Sequence, residues 1–239
     1  MMPDVQLHLI GGFELTISGS PATLQPVQQR LLAFVALTPR GVDREFAALQ
    51  LWPDHSEERA RASLRSALWR LRRVSAEIVV VSSTHLRLNT HVWVDVRHGL
   101  EELARGGDAA GLDGALPFQL LLADLLPDWY DDWLTIERER LRQLSLHFLE
   151  SRAQKALTDG DAATAIHLSL TAMSIDPLRE SPYRLLIEAH LAEGNERDAH
   201  RTLDGYRKRL AFDPRLAPSR ELEELFWRRG RCANGVDVN

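Results

Sequence analysis

The first seventeen residues alternate between apolar and polar positions on either side of a glycine pair. Apolar residues recur at every second position from Val5 to Leu9 and again from Phe13 to Ile17. Gly11-Gly12 between the two runs provides the backbone freedom that a tight turn needs. The pattern predicts a β-hairpin with one buried face.

Three helices are predicted after the hairpin. The first begins at Pro26, a residue favoured at the first helical position, and ends at the Pro-Arg-Gly sequence at 39–41. A second, short helix follows Asp43, whose carboxylate can cap it. The third extends from about Ser56, its predicted N-cap, to Val74.

The third predicted helix separates an apolar side from a basic side. At 100° per residue, five residues fall within one arc of about 100°: Ala60, Leu64, Ala67, Leu68 and Leu71. Six arginines lie outside this arc: Arg59, Arg61, Arg65, Arg70, Arg72 and Arg73. No acid lies among them, so this local charge of +6 is the strongest electrostatic feature of the sequence.

Three short strand-like runs follow the basic helix. They cover residues 78–81, 86–88 and 92–95, and a Ser-Ser-Thr-His turn at 82–85 joins the first two. A strand pair, three helices and a hairpin, in this order, are typical of a winged helix-turn-helix.

The remainder of the chain is predicted to be helical. Helices are expected over 118–126, from about Trp129 to Leu157, and over 219–229. Trp129, Tyr130 and Trp133 form an aromatic cluster with two open interpretations: packing in a core between helices, or a surface that meets a partner protein.

A 34-residue repeat lies within this helical part. Gly160-Asp161 and Gly194-Asn195 are 34 residues apart, and in each pair the glycine ends one helix and the polar residue caps the next. Thirty-four residues is the tetratricopeptide period. The repeat predicts two stacked helical hairpins that bury five residues between them, with the concave face or the aromatic cluster free for a partner. Those five residues are Leu157, Ala165, Ile187, Leu191 and Ala199.

Seven sequence segments carry a resemblance to a known family. In the first part they are LWPD at 51–54, ARASLRSALWRLRR at 60–73, LRLN at 86–89 and VWVDV at 92–96. In the second part they are LLPDWYDDWLTIERERLRQL at 125–144, DPLRES at 176–181 and AHLAEGN at 189–195. Over essentially its whole length, the chain resembles the Streptomyces antibiotic regulatory protein (SARP) family.

The resemblance implies a domain organisation and a function. The fold class is mainly α with small β elements: a winged helix-turn-helix DNA-binding domain over 1–96, an all-α, tetratricopeptide-like bacterial transcriptional activator domain over 97–231, and a tail over 232–239. The implied function is that of a sequence-specific transcriptional activator. Two protomers, as a homodimer on DNA, would occupy direct repeats in double-stranded promoter DNA, and the helical domain would engage RNA polymerase.

Candidate DNA contacts follow from the chemistry of the basic helix and the hairpin. A helix that enters the major groove needs cations at its flanks for phosphates and short polar or bidentate groups for base edges. Base contacts are expected from Ser63, Ser66 and Arg70. Phosphate contacts are expected from Arg59, Arg65, Arg72 and Arg73. Arg61 and Trp69 complete the predicted helix surface, and His85 or Arg87 of the hairpin could approach the minor groove.

The charge distribution favours this function over a second interpretation. Residues 1–96 carry a net charge of +1 and residues 97–239 a net charge of −6. The alternative is a tetratricopeptide-like protein-interaction adaptor whose winged helix reads no DNA, with its arginines forming only a solvated surface.

Other classes of protein find no support in the sequence. The only cysteine, Cys232, has no pair, the histidines form no metal-binding motif, and the glycine-rich stretch at 106–114 follows no strand. No run of 18 apolar residues occurs, and the N-terminus carries an acid rather than a basic signal region. We therefore expect a cytoplasmic protein, not an enzyme, with no metal, no cofactor and no membrane partner.

Overall fold

The fold was analysed in a computed structural model that describes residues 4–38, 40–104 and 123–225. The described residues group into two compact units, one up to Arg140 and the other from Leu141 onward. The first unit thus includes described residues beyond 96, and the predicted domain boundaries stay a prediction.

The first unit combines short strands with helices. Its strands are β1 (Val5–His8), β2 (Glu14–Ile17), β3 (Ser20–Pro21), β4 (Val42–Asp43), β5 (Val79–Val81), β6 (His85–Leu88) and β7 (Val92–Val94). Its helices are α1 (Pro26–Leu37), α2 (Arg44–Leu51), α3 (Glu57–Val74) and α4 (Asp95–Ala104). Helix α5 (Asp132–Thr158) begins in the first unit and ends in the second.

The N-terminal hairpin of β1 and β2 is confirmed, and its sheet contains two further strands. The strand order is β3-β2-β1-β7, with β1 antiparallel to β2 and parallel to β7. Leu7 is opposite Leu15 on one side and Val94 on the other, and all three are buried. The sequence predicted the strand at 92–95 but not its partner.

A second sheet forms the wing beside the helix-turn-helix. Its order is β4-β6-β5, and β5 and β6 form the predicted antiparallel hairpin. Gly41, just before β4, has a φ of 80°, and a Cβ there would lie 2.9 Å from the Leu86 carbonyl oxygen of β6. This position therefore requires glycine.

The core of the first unit lies between α1 and α3. The apolar arc predicted for α3 is confirmed: its five residues, Ala60, Leu64, Ala67, Leu68 and Leu71, are all buried. In α1, every residue from Leu31 to Leu37 is buried. Arg97 of α4 closes the end of α1 by donating to the Ala36 and Val35 carbonyl oxygens.

A buried carboxylate ties the start of α4 to the N-terminal sheet. Asp95 accepts hydrogen bonds from the backbone N–H groups of Leu9, Ile10 and Val96. Burial nevertheless raises the pKa of Asp95, because the desolvation of its charge outweighs these donors.

The helix predicted over 118–126 is wrong for the part that the structure describes. Residues 123–126 are not helical, and residues 118–122 lie outside the described part. Leu125 forms a β-bridge with Ile10, and the Leu126 N–H donates to the Leu9 carbonyl. The edge of the sheet provides hydrogen bonds to this backbone, and Leu126 has a φ of 47°, outside the right-handed helical range.

The predicted aromatic cluster is divided between core and surface, because Trp133 is buried whereas Tyr130 is 91% exposed. Trp133, 7% exposed, meets Phe34 of α1 edge-on at 5.1 Å, and the half-buried Trp129 stacks on Phe13 at 6.0 Å. Core packing is therefore confirmed for Trp133. The expectation that Trp133 is free to meet a partner is wrong, because its ring is buried against Phe34; for the half-buried Trp129 it stays a prediction.

The second unit consists of helical hairpins with equivalent glycine turns. After α5 come α6 (Ala162–Ile175), α7 (Glu180–Ala192) and α8 (Glu196–Leu210), and residues 220–225 are also helical. Gly160 and Gly194 both have φ near 80° and end α5 and α7 as the repeat predicts. Asp161 caps α6 through its carboxylate, which accepts from the Thr164 N–H.

Among the described residues of the second unit, the five residues predicted to form one interface between the hairpins fall into two apolar clusters. Ala156, Ala165 and Ala189 join α5, α6 and α7, with Leu157 only partly buried at the margin. The larger cluster lies between α7, α8 and the final described helical turn. Its buried members are Tyr183, Ile187, Leu191, Ala199, Leu203, Tyr206, Leu210 and Leu222.

No helix of the described residues is long and apolar enough to cross a membrane.

Candidate nucleic-acid interface

Helix α3 presents a polar face because its apolar residues are confined to one side. The stripe from Ala60 to Leu71 is buried against the core, so the six arginines and Ser66 are exposed on the remaining surface. Ser63 is half-buried, and its Oγ lies 3.5 Å from His55 Nδ1. The structure thus places all nine predicted α3 residues on the outer side of one helix.

Asp43 fixes the start of α2, which packs against α3. Its carboxylate accepts from the Glu45 and Phe46 N–H groups at 2.8 and 3.0 Å. These backbone donors, led by the Phe46 N–H, lower the pKa of Asp43.

Arg61 differs from the other arginines of α3 because carboxylates compensate its charge. Its Nη2 lies 3.0 Å from Glu45 of α2 and 3.5 Å from Glu57, one turn earlier in α3. These three residues line a small cavity of about 50 Å³ between α2 and α3. The sequence signal for this pairing was the i,i+4 spacing of Glu57 and Arg61.

The other side of α3 borders an open groove of about 430 Å³. Arg70 donates from Nη1 to Gln25 Oε1 at 3.1 Å, and the Arg73 guanidinium lies 5.1 Å from the centre of the Trp69 ring. Trp69 itself is 60% exposed. The groove is lined by Thr23, Leu24, Gln25, Gln28, Trp69, Arg70 and Arg73. Sequence reasoning missed Gln25 and Gln28, for which the sequence offers no charge or motif signal.

The remaining arginines of α3 have no carboxylate partner among the residues that the structure describes. Arg59, Arg65 and Arg72 are exposed and form no ion pair within the part of the chain that the structure describes. Their charge is therefore available to an external anion.

The wing is held beside α2 by backbone and side-chain hydrogen bonds. The Arg44 N–H donates to the Thr84 carbonyl, and Arg44 Nη1 donates to the Ser82 carbonyl. Arg87 is exposed in the middle of β6, and His85 is exposed beside the Ser82–Thr84 turn. Both predicted wing residues thus lie on the surface of the unit that carries α3.

Among the residues that the structure describes, no group of three or more histidine, cysteine, aspartate or glutamate side chains could hold a metal ion.

Comparison with known proteins adds a family and a fold. Residues 119–228 match the family model of the bacterial transcriptional activator domain. This match covers just under half of the chain and assigns a domain type to that part. A transcriptional activator domain points to a regulator rather than an enzyme.

A solved structure shares the fold of this chain. EmbR from Mycobacterium tuberculosis, in complex with a low-affinity phosphopeptide, matches with a TM-score of 0.74 at 22% sequence identity. The match covers 95% of this chain and 65% of the EmbR chain, so this chain spans a little under two thirds of that protein. No curated protein matches the sequence significantly.

Proposed function

We propose that this protein is a SARP-type regulator that activates transcription by binding double-stranded promoter DNA through α3 and the wing. One observation carries the proposal: the exposed face of α3 holds arginines that have no carboxylate partner among the described residues, beside a β-hairpin wing. Phosphate contacts supply most of the non-specific affinity of DNA-binding proteins, and a helix of this kind fits the major groove.

The DNA-contact surface consists of the α3 residues and Arg87. Ser63 and Ser66 lie in the N-terminal half and middle of α3, the part of a recognition helix that meets base edges. Arg59, Arg65, Arg72 and Arg73 are placed for phosphates. Arg61 belongs to the surface but brings less net charge, because Glu45 and Glu57 accompany it.

Selection from a random-sequence duplex pool tests the DNA-binding proposal. The full chain should enrich one recognition element, and its affinity for the selected duplex should exceed that for a mixed-sequence duplex by at least about 10³-fold. Enrichment of no sequence at low salt would contradict DNA binding and favour the adaptor alternative.

Footprinting on the selected DNA tests the mode of binding. We propose that two protomers occupy adjacent direct repeats, so protection at saturation should cover two elements in the same orientation. Protection of a single element at saturating protein would contradict this arrangement.

The helical second unit is the proposed contact for RNA polymerase. Its support is the match of residues 119–228 to the activator-domain family model, most of which lies in this unit. Transcription with purified polymerase should rise with the full chain but not with a fragment of residues 1–140, which retains the whole first unit. Equal activation by the fragment would contradict this role.

A further inference from the structure

We propose that the groove beside the C-terminal half of α3 is a seat for a DNA backbone phosphate, held by Arg70 and Arg73. The proposal rests on the DNA-binding function and assigns a ligand to one part of that surface. It also gives Arg70 a different role from the base contact that the sequence suggested.

The charge of the groove favours an anion. Two guanidinium groups face it, and no carboxylate is among the described residues that line it. Their partners are neutral: an amide oxygen for Arg70 and an indole ring for Arg73. Neutral partners orient a guanidinium without cancelling its charge, so both arginines can still bind a phosphate.

The two arginines are positioned before any ligand arrives. The buried Gln28 accepts a hydrogen bond from the Gln25 backbone N–H at 2.8 Å, and the Gln25 side chain in turn accepts from Arg70. Trp69 supports Arg73 from the same helix, four residues earlier. Ordering these long side chains in advance lowers the entropic cost of holding a phosphate.

The positions of Arg70 and Arg73 along α3 favour a phosphate contact over a base contact. The N-terminal residues of a recognition helix contact bases, whereas Arg70 and Arg73 lie in the last two turns of α3. Arg70 is also directed toward the segment before α1, which lies outside the helix-turn-helix. Contacts of this kind fix the orientation of a protein on DNA and carry no sequence information.

The cavity on the other side of α3 provides an internal contrast. There the single arginine, Arg61, faces two carboxylates, and the space is about 50 Å³ compared with about 430 Å³ for the groove. A phosphate would be repelled by Glu45 and Glu57, so the two sides of the same helix differ in their capacity for anions.

The test compares variants of the full chain on two probes, a mixed-sequence duplex and a duplex selected by the wild-type protein. R70A and R73A should each lower affinity for both probes by the same factor, about tenfold, and reduce the salt slope by about one unit. R70K should retain most of the affinity for both probes, because a phosphate accepts an ammonium group. R197A removes an exposed arginine of the second unit, outside the proposed DNA-contact surface; it is the matched control and should change either affinity less than about twofold.

Modified DNA locates the phosphate directly. Methylphosphonate substitutions, one position at a time in the selected duplex, should reveal a phosphate whose neutralisation weakens the wild-type protein but has no further effect on R70A. This non-additivity is the signature of a direct contact.

Three results would overturn the proposal. If R70A left affinity for the mixed-sequence duplex unchanged and relaxed preference at one base position, Arg70 would read a base, and DNA binding itself would stand. If every methylphosphonate weakened R70A as much as wild type, no phosphate would lie in the groove. If the wild-type chain bound neither probe, the DNA-binding function would fail together with the groove. Circular dichroism and thermal unfolding of each variant confirm that it is folded.

Discussion

Arginines serve two different purposes in the two compact units. In α3, Arg70 and Arg73 have neutral partners, and Arg59 has none among the described carboxylates. In the second unit, Arg179 forms two hydrogen bonds with Glu150, at 2.5 and 3.0 Å, and other arginines there are paired in the same way. Those pairs include Arg142–Asp176, Arg184–Glu188 and Arg207–Glu223.

The comparison shows that the function of an arginine is indicated better by its partner than by its solvent exposure. A guanidinium that faces a carboxylate stabilises the fold and adds little net charge to the surface. A guanidinium that faces an amide, an indole or water remains a site for an anion. Four substitution experiments test this distinction.

The largest effect is expected from removing charge on α3. A variant in which Arg59, Arg65, Arg72 and Arg73 are all alanine should lose at least about a hundredfold in affinity for duplex DNA, with a salt slope lower by about three to four units. Its free energy of unfolding should change little, because these side chains carry no ion pairs in the described part of the chain. Fluorescence anisotropy with a labelled duplex, at several salt concentrations, measures both quantities.

The control for this variant removes the same number of arginines from the second unit. Alanine at Arg197, Arg201, Arg207 and Arg220 removes exposed arginines and breaks only surface ion pairs. If this control lost as much DNA affinity as the α3 variant, the distinction between the units would be wrong.

The next effect concerns stability rather than binding. Arg179→Ala should lower the free energy of unfolding by about 1–3 kcal/mol, because Glu150, 14% exposed, would lose its bidentate partner. The bond to Glu150 also raises the pKa of Arg179, so the guanidinium is charged at every pH at which the fold can be studied.

Urea denaturation measures this loss, with Arg197→Ala as the matched control. Arg197 is exposed and has no ion pair in the described residues, so its substitution should change stability by less than about 0.5 kcal/mol. A DNA-binding defect in Arg179→Ala with unchanged stability would contradict the structural role.

A gain of affinity is expected when Arg61 is released from its carboxylates. The double substitution Glu45→Gln and Glu57→Gln removes both partners while retaining hydrogen-bonding side chains. DNA affinity should rise by about two- to fivefold, and the salt slope by up to about one unit. Unchanged affinity and salt slope would indicate that Arg61 does not reach the DNA even when its charge is uncompensated.

The smallest effect is expected from Arg61→Ala. Because two carboxylates already compensate this charge, the single substitution should change both DNA affinity and unfolding free energy by less than about 0.5 kcal/mol. A loss of tenfold or more in affinity would show that Arg61 leaves its carboxylates when DNA binds.

Local patterns were predictable from the sequence, and contacts between distant segments were not. The buried stripe of α3 follows from a period of 3.6 residues, and the turns at Gly160 and Gly194 follow from residues beside them. The position of Trp133 on Phe34 depends on how the chain returns to α1, which no local pattern contains.

The same limit applies to the candidate site. The basic face of α3 was visible in the sequence because it lies on one helix. The hydrogen bond from Arg70 to Gln25 joins residues 45 positions apart, and Gln25 has neither charge nor motif to single it out. The division of the arginines by their partners therefore required the fold.

Trp69 gives the proposed interface an optical signal of its own. Its indole is 60% exposed, whereas Trp133 is 7% exposed, so collisional quenchers such as iodide or acrylamide should reach Trp69 far more readily. An anion that draws the Arg73 guanidinium away from the ring would alter the emission of this one residue. The difference in quenching between the wild-type chain and a Trp69→Phe variant would then report occupancy of the groove without any attached dye.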